Sequence, residues 1–143
     1  MKKDDELVAD FDLLSNEAKS VLKLNWNEAI SSFKQDTSVF ILGRGTGHEI
    51  AQEAALKPKE TCQLHAESYS AADVQHGPMK LATSGLHMIA FIPNDTGKDG
   101  VIRAAWILAT NGSKVFIVNG VVEGCTSLPT QNTKKPYLPK FHR

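Results

Sequence analysis

Three short apolar runs constrain this chain more than any other feature: Ser38-Val39-Phe40-Ile41-Leu42, Met88 to Ile92, and Val115 to Val118. All are rich in β-branched or aromatic residues and lack the polar alternation of a one-sided strand. A strand that is apolar on both faces has to be covered on both faces. Helical patterns lie between the runs. Thr46 with Glu49 three residues later reads as a capping box, so a helix is expected to begin near Gly47. Val101, Ile102, Ala105 and Leu108 mark another, with Gly112 placed to end it. Strand, helix, strand, helix, strand with continuous apolar strands implies α/β architecture. The expected form is a three-layer α/β/α domain with a parallel sheet, doubly wound in the flavodoxin manner.

Ahead of the first strand, Leu7, Phe11, Leu14, Ala18 and Val21 recur at helical spacing over roughly residues 4–23. Trp26, Ile30 and Phe33 repeat the pattern, with Asn25 as the expected N-cap. The expected organisation is one domain over residues 1–125, with N-terminal helices within 4–35, and an irregular tail over 126–143. The tail has three prolines and no periodicity. Sixteen basic residues balance sixteen acidic ones, so nothing argues for nucleic acid or an acidic membrane surface as partner. No stretch approaches the ~20 apolar residues of a membrane helix. The polar start Met1 to Glu6 has no apolar signal core after it. Cys62 and Cys125 read as free thiols, which fits a cytoplasmic protein.

Most residues with chemical promise lie between Gly43 and Pro78. The turn Gly43-Arg44-Gly45-Thr46-Gly47 follows a strand and opens a helix, but His48 stands where a dinucleotide fingerprint requires glycine. No acidic residue closes a strand about 20 residues later, as a ribose contact requires. A tight strand-to-helix turn is the simpler reading, and a phosphate or carboxylate near the helix start stays open. Along that helix Glu49, Glu53, Lys57 and Glu60 share a face. They read either as a solvated stripe or as a carboxylate beside an ammonium that serves as general base. His76, before Gly77-Pro78, reads either as a surface residue or as a proton-transfer group near neutral pH. His65, Glu67 and His76 do not have a recognised zinc spacing, so no metal and no cofactor is expected.

Four blocks then carry a resemblance: Phe40-Ile-Leu-Gly-Arg-Gly45, Ala54-Ala-Leu-Lys-Pro-Lys-Glu-Thr61, Leu64-His-Ala-Glu67 and His76-Gly-Pro78. In order and spacing they resemble the sugar isomerase (SIS) domain. The likeness is closest to the second SIS subdomain in the isomerase part of glucosamine-6-phosphate synthase, and to SIS-type glucosamine-6-phosphate deaminases. The resemblance implies that Glu60 is the base moving a proton between sugar C1 and C2. Lys57 is the accompanying lysine, and His76 opens the sugar ring from a neighbouring subunit. Gly43, Arg44 and Gly45 become candidate contacts to a small sugar phosphate.

The departures from the family pattern shape the functional expectation. The S-x-S-G-x-T loop that holds the sugar phosphate in a first SIS subdomain has no match here; Thr83-Ser84-Gly85 and Thr96-Gly97-Lys98 differ from it. The family's last strand, long helix and closing segment are missing, so the chain reads as shortened at its C-terminus. Pro58 stands between Lys57 and Glu60, where it removes a helix hydrogen bond and disfavours α geometry at Lys57. The expected function is therefore an amino-sugar-phosphate isomerase or deaminase half-domain, inactive alone. It would work as a homodimer or with a phosphate-loop SIS partner. The alternative is a non-catalytic phosphosugar-binding or dimerisation module. Lys57 and Glu60 are expected at the carboxyl edge of the sheet, where open α/β sheets bind ligands.

Overall fold

A computed structural model describes residues 2–33, 38–74 and 86–131. The chain divides into two compact units, Met1–Asn25 with Thr130–Arg143, and Trp26–Pro129. The first contains α1 (Lys2–Val21), a single helix as its apolar periodicity predicts. The second contains the sheet. Its elements are α2 (Asn27–Ser32), β1 (Val39–Gly43), α3 (Thr46–Cys62), β2 (Ala66–Ser70), α4 (Ala71–Val74), β3 (His87–Phe91), α5 (Lys98–Thr110), β4 (Lys114–Val118) and β5 (Thr126–Ser127).

Among the described residues the sheet has the order β2-β1-β3-β4-β5, and every pairing is parallel. That is the flavodoxin-type doubly wound order. Val39, Met88 and Val115 belong to neighbouring rungs of one ladder, and the three apolar runs are its centre. The expected fold class is therefore met. Two strands escaped the sequence reading: β2 at one edge and the two-residue β5 at the other.

Strand periodicity sorts the core into two layers. Phe40, Leu42, Met88, Ala90, Val115 and Ile117 point to the face covered by α4 and α5, where they meet Ala71, Val74, Val101, Ala104, Ala105 and Leu108. Val39 and Ile41 point the other way, onto Ala51 and Ala55 of α3. Phe116, also on that second face, packs with Ala29 of α2 and with Leu128. Trp26 secures this corner by donating its indole N–H to the Pro129 carbonyl at 2.9 Å. Helix α2 starts after Trp26, so Asn25 is not its cap. Among the described residues no helix is long and apolar enough to cross a membrane.

Phe116 is fully buried and meets Phe33 edge-on at 5.8 Å between ring centroids. Phe116→Ala is expected to lower unfolding stability by about 3–5 kcal/mol. A urea titration followed by circular dichroism checks this. The signature is a lower midpoint with an unchanged slope.

Candidate functional site

Helix α3 decides where each candidate residue lies. It begins at the carboxyl end of β1 and runs back against the strand direction, so it delivers its last turns to the amino edge of the sheet. Fourteen residues of helix separate Thr46 from Glu60, about 21 Å at 1.5 Å per residue. A five-residue strand spans only about 16 Å. The expectation that Lys57 and Glu60 sit at the carboxyl edge beside the glycine turn is therefore corrected. The turn and the Lys57–Glu60 pair occupy opposite ends of the sheet.

At the amino edge, Lys57 Nζ lies 2.9 Å from Glu53 Oε1 and 3.2 Å from Glu60 Oε2, so one ammonium bridges carboxylates at i−4 and i+3. Hydrogen bonding to Glu53, and then to Glu60, raises the Lys57 pKa above its ordinary value. Lys57 is thus held as a cation, suited to steadying negative charge rather than to acting as an amine nucleophile. All three side chains are about half exposed or more. Lys57 also lines a cavity of about 680 Å³ on the α2–α3 face, whose walls include Trp26, Phe33, Val39, Ile41 and Phe91. Pro58 does not interrupt the helix, which continues to Cys62. The Pro58 carbonyl accepts from Gln63 N and, at 3.2 Å, from Leu64 N, closing the helix around a left-handed Gln63. Lys57 and Glu60 consequently keep helical i,i+3 geometry despite the intervening proline.

At the carboxyl edge the glycine turn performs structural work. A Cβ on Gly43 would lie 2.2 Å from the Gly47 carbonyl oxygen, a backbone atom that cannot step aside. Gly45 has φ 58°, and a Cβ there would meet the Asp95 carboxylate at 2.6 Å. Asp95 accepts from Thr46 N at 3.0 Å, Thr46 Oγ1 at 2.8 Å and Gly97 N at 2.7 Å. Hydrogen bonds from the Thr46 and Gly97 backbone, and then from the Thr46 hydroxyl, hold its carboxyl pKa below the ordinary value. The expected Thr46–Glu49 capping box does not form. Gly45 is the N-cap, and Thr46 is already helical and bonded to Asp95. Arg44 is exposed and reaches over α5, where a Cβ on Gly100 would come within 2.9 Å of its Nη1. The anion position at the start of α3 is thus filled by the chain's own Asp95.

The remaining candidates follow β2. His65 Nδ1 lies 3.2 Å from Ser38 Oγ, and His65 Nε2 lies 3.4 Å from Glu67 Oε1. Tyr69 donates its hydroxyl to Glu67 Oε2 at 2.6 Å. Ser70 Oγ accepts from Ala72 N at 3.3 Å, at the start of α4. His76, Gly77 and Pro78 lie outside the described residues. Among the described residues no three metal-ligating side chains come together. Sequence reasoning missed Asp95 and Tyr69. Asp95 had one usable signal, its place in a Pro-Asn-Asp turn at the end of an apolar run.

The model of the SIS domain family matches residues 32–122. Glutamine–fructose-6-phosphate aminotransferase (isomerizing) of Symbiobacterium thermophilum is 30% identical over 139 residues, covering 96% of this chain and 22% of the relative. The enzyme of the same name from Rhizobium leguminosarum is 34% identical over 96 residues, covering 66% of this chain and 16% of the relative. Among solved structures, a Silicibacter pomeroyi protein provisionally assigned as a phosphosugar isomerase superposes with TM-score 0.78 at 36% identity, covering 92% of this chain and 40% of that one. The C-terminal domain of glucosamine-fructose-6-phosphate aminotransferase from Francisella tularensis superposes with TM-score 0.68 at 26% identity, covering 89% and 37%. The chain spans about a fifth of the length of these aminotransferases and about two fifths of the solved chains.

The short Tyr69–Glu67 bond yields a direct test. Hydrogen bonding to Glu67, with burial and the nearby carboxylate charge adding to it, raises the Tyr69 pKa to about 12. Ultraviolet titration is expected to show one tyrosine ionising near that value. In Glu67→Gln the midpoint is expected to fall back towards ~10. Because the folded pKa exceeds the unfolded one, the bond's contribution is intact below pH ~10 and is lost as pH rises through the folded value.

Proposed function

The chain belongs to the SIS domain family, and on that premise we propose that it is the base-carrying half of an isomerase or deaminase acting on an amino-sugar phosphate. The proposed substrate class is that of fructose-6-phosphate, which the names of its aminotransferase relatives carry, together with its amino-sugar counterpart glucosamine-6-phosphate, which the family resemblance implies. The observation that carries the reading is the Glu53–Lys57–Glu60 cluster in the last turns of α3. In this proposal Glu60 takes the proton from one sugar carbon and returns it to its neighbour. The Lys57 cation steadies the enolate-like intermediate. His76 opens the ring from a neighbouring subunit, in a cytoplasmic homodimer or a complex with a phosphate-loop SIS partner.

The exposure of Glu60 supports the need for a partner. A carboxylate on an open surface competes with water for its substrate, and positioning contributes ~7–11 kcal/mol only when the reactants are held together. A second surface has to cover the cluster and hold the phosphate. Direct contact of Gly43, Arg44 and Gly45 with the substrate is a separate part of the proposal. It requires an incoming phosphate to displace Asp95 from the start of α3. The alternative, a phosphosugar-binding or dimerisation module without chemistry, draws on the same exposure of Glu60.

An assay for interconversion of glucosamine-6-phosphate and fructose-6-phosphate separates these readings. The purified chain alone is expected to show no turnover. Adding an SIS subdomain that carries an S-x-S-G-x-T loop is expected to produce it, and Glu60→Gln to reduce it by about 10²–10⁴-fold. Turnover by the isolated chain above the Glu60→Gln background removes the need for a partner. Phosphosugar binding with partner present, unchanged in Glu60→Gln and without turnover, favours the non-catalytic module.

A further inference from the structure

We propose that Ser38 is a nucleophilic serine, activated by His65 and oriented through Glu67 and Tyr69, that accepts an acyl group from activated esters. This site is independent of the amino-sugar reading. It is built by sheet register. Val39 pairs with Ala66 in the parallel ladder, so the residues just before them, Ser38 and His65, stand side by side at the amino edge. Val39 N donates to the His65 carbonyl at 2.9 Å and holds the two backbones together. His65, Glu67 and Tyr69 then fall at alternate positions, which places them on one side of β2.

In the proposed site the neighbour of each imidazole nitrogen selects which one carries the proton. Glu67 Oε2 is engaged by the Tyr69 hydroxyl at 2.6 Å, leaving Oε1 to face His65 Nε2 at 3.4 Å. A carboxylate only accepts, so in neutral imidazole Nε2 bears the hydrogen and Nδ1 the lone pair. Ser38 Oγ, 3.2 Å from Nδ1, is then the donor. Nucleophile, base and orienting carboxylate in sequence is the arrangement that activates a hydroxyl. His65 is more than half exposed, so the acyl donor reaches it from solvent. In the acylation step Ser38 Oγ bonds to the acyl carbon and the bond to the leaving alkoxide or phenoxide breaks. The Oγ proton passes to His65 Nδ1 and on to the leaving oxygen. Water then hydrolyses the seryl ester, restoring the Ser38 hydroxyl and releasing the carboxylic acid.

A chain of bonds that only steadied the edge strand would leave Ser38 no more reactive than another hydroxyl, and this separates the two roles. The full chain is treated with p-nitrophenyl acetate, and acetylation is located by peptide mass spectrometry. Ser38 is expected to be labelled faster than the exposed Ser31, a comparison that needs no variant. In His65→Gly labelling of Ser38 is expected to fall about a hundredfold, the scale of general-base assistance. Imidazole added to the solution should restore it. In Glu67→Gln the amide oxygen can accept from Tyr69, which turns the amide nitrogen towards His65. That reverses the tautomer and abolishes activation without changing side-chain size, whereas Glu67→Asp retains part of it. Labelling of Ser38 no faster than Ser31 overturns the proposal. So does labelling in folded His65→Gly that equals the parent, or a loss there that imidazole does not restore.

Discussion

The Asp95 carboxylate joins the two βα units on which the domain is built. It accepts from the first turn of α3 at Thr46 and from Gly97 immediately ahead of α5. Both helices begin at the carboxyl edge with unsatisfied N–H groups and positive dipole ends, and one negative charge between them answers both. The neighbouring Gly43 allows α3 to start in backbone contact with the strand it follows. Together these contacts fix the origin and direction of α3, the element that carries the candidate base.

From that origin the rest follows by length. A 17-residue helix is longer than a five-residue strand is deep, so its final turns reach the amino edge of the sheet. Lys57 and Glu60 stand there in solvent, next to a largely apolar cavity on the α2–α3 face. An ion cluster so exposed contributes little to stability. In the proposed function it presents a carboxylate and a fixed cation to the substrate. The opposite face buries Leu42, Met88, Val101 and Leu108 fully, and together with Ile41 and Phe116 on the α2–α3 face this burial stabilises the sheet.

How legible each element was depends on what signal it had. Val39–Gly43 is buried throughout and Lys114–Val118 at its centre, Val115 to Ile117, so a continuous apolar run marks each. β2 is an edge strand of sequence Ala-Glu-Ser-Tyr-Ser in which only Ala66 is buried, and no hydrophobic pattern sets it apart from a loop. Pro58 is expected to disfavour α geometry at Lys57, yet α3 passes through it. Its place near the C-terminal end limits the cost, and its own carbonyl serves the cap. Thr46 and Glu49 had the right spacing for a capping box, but the partner that satisfies Thr46 comes from 49 residues away.

The sequence by itself determined the parallel α/β architecture, the family, and the contact of Lys57 with Glu53 and Glu60. The architecture and the ion contact depend on burial periodicity and on helix pitch, which act over a few residues, and the family on four short motif blocks between Phe40 and Pro78. Only the tertiary structure decided that Glu60 lies at the amino edge, that Asp95 fills the start of α3, and that Ser38 meets His65 across 27 residues of chain. Each of those depends on strand register and helix direction. Register is set by the burial of a whole sheet face at once, so no single local motif contains it.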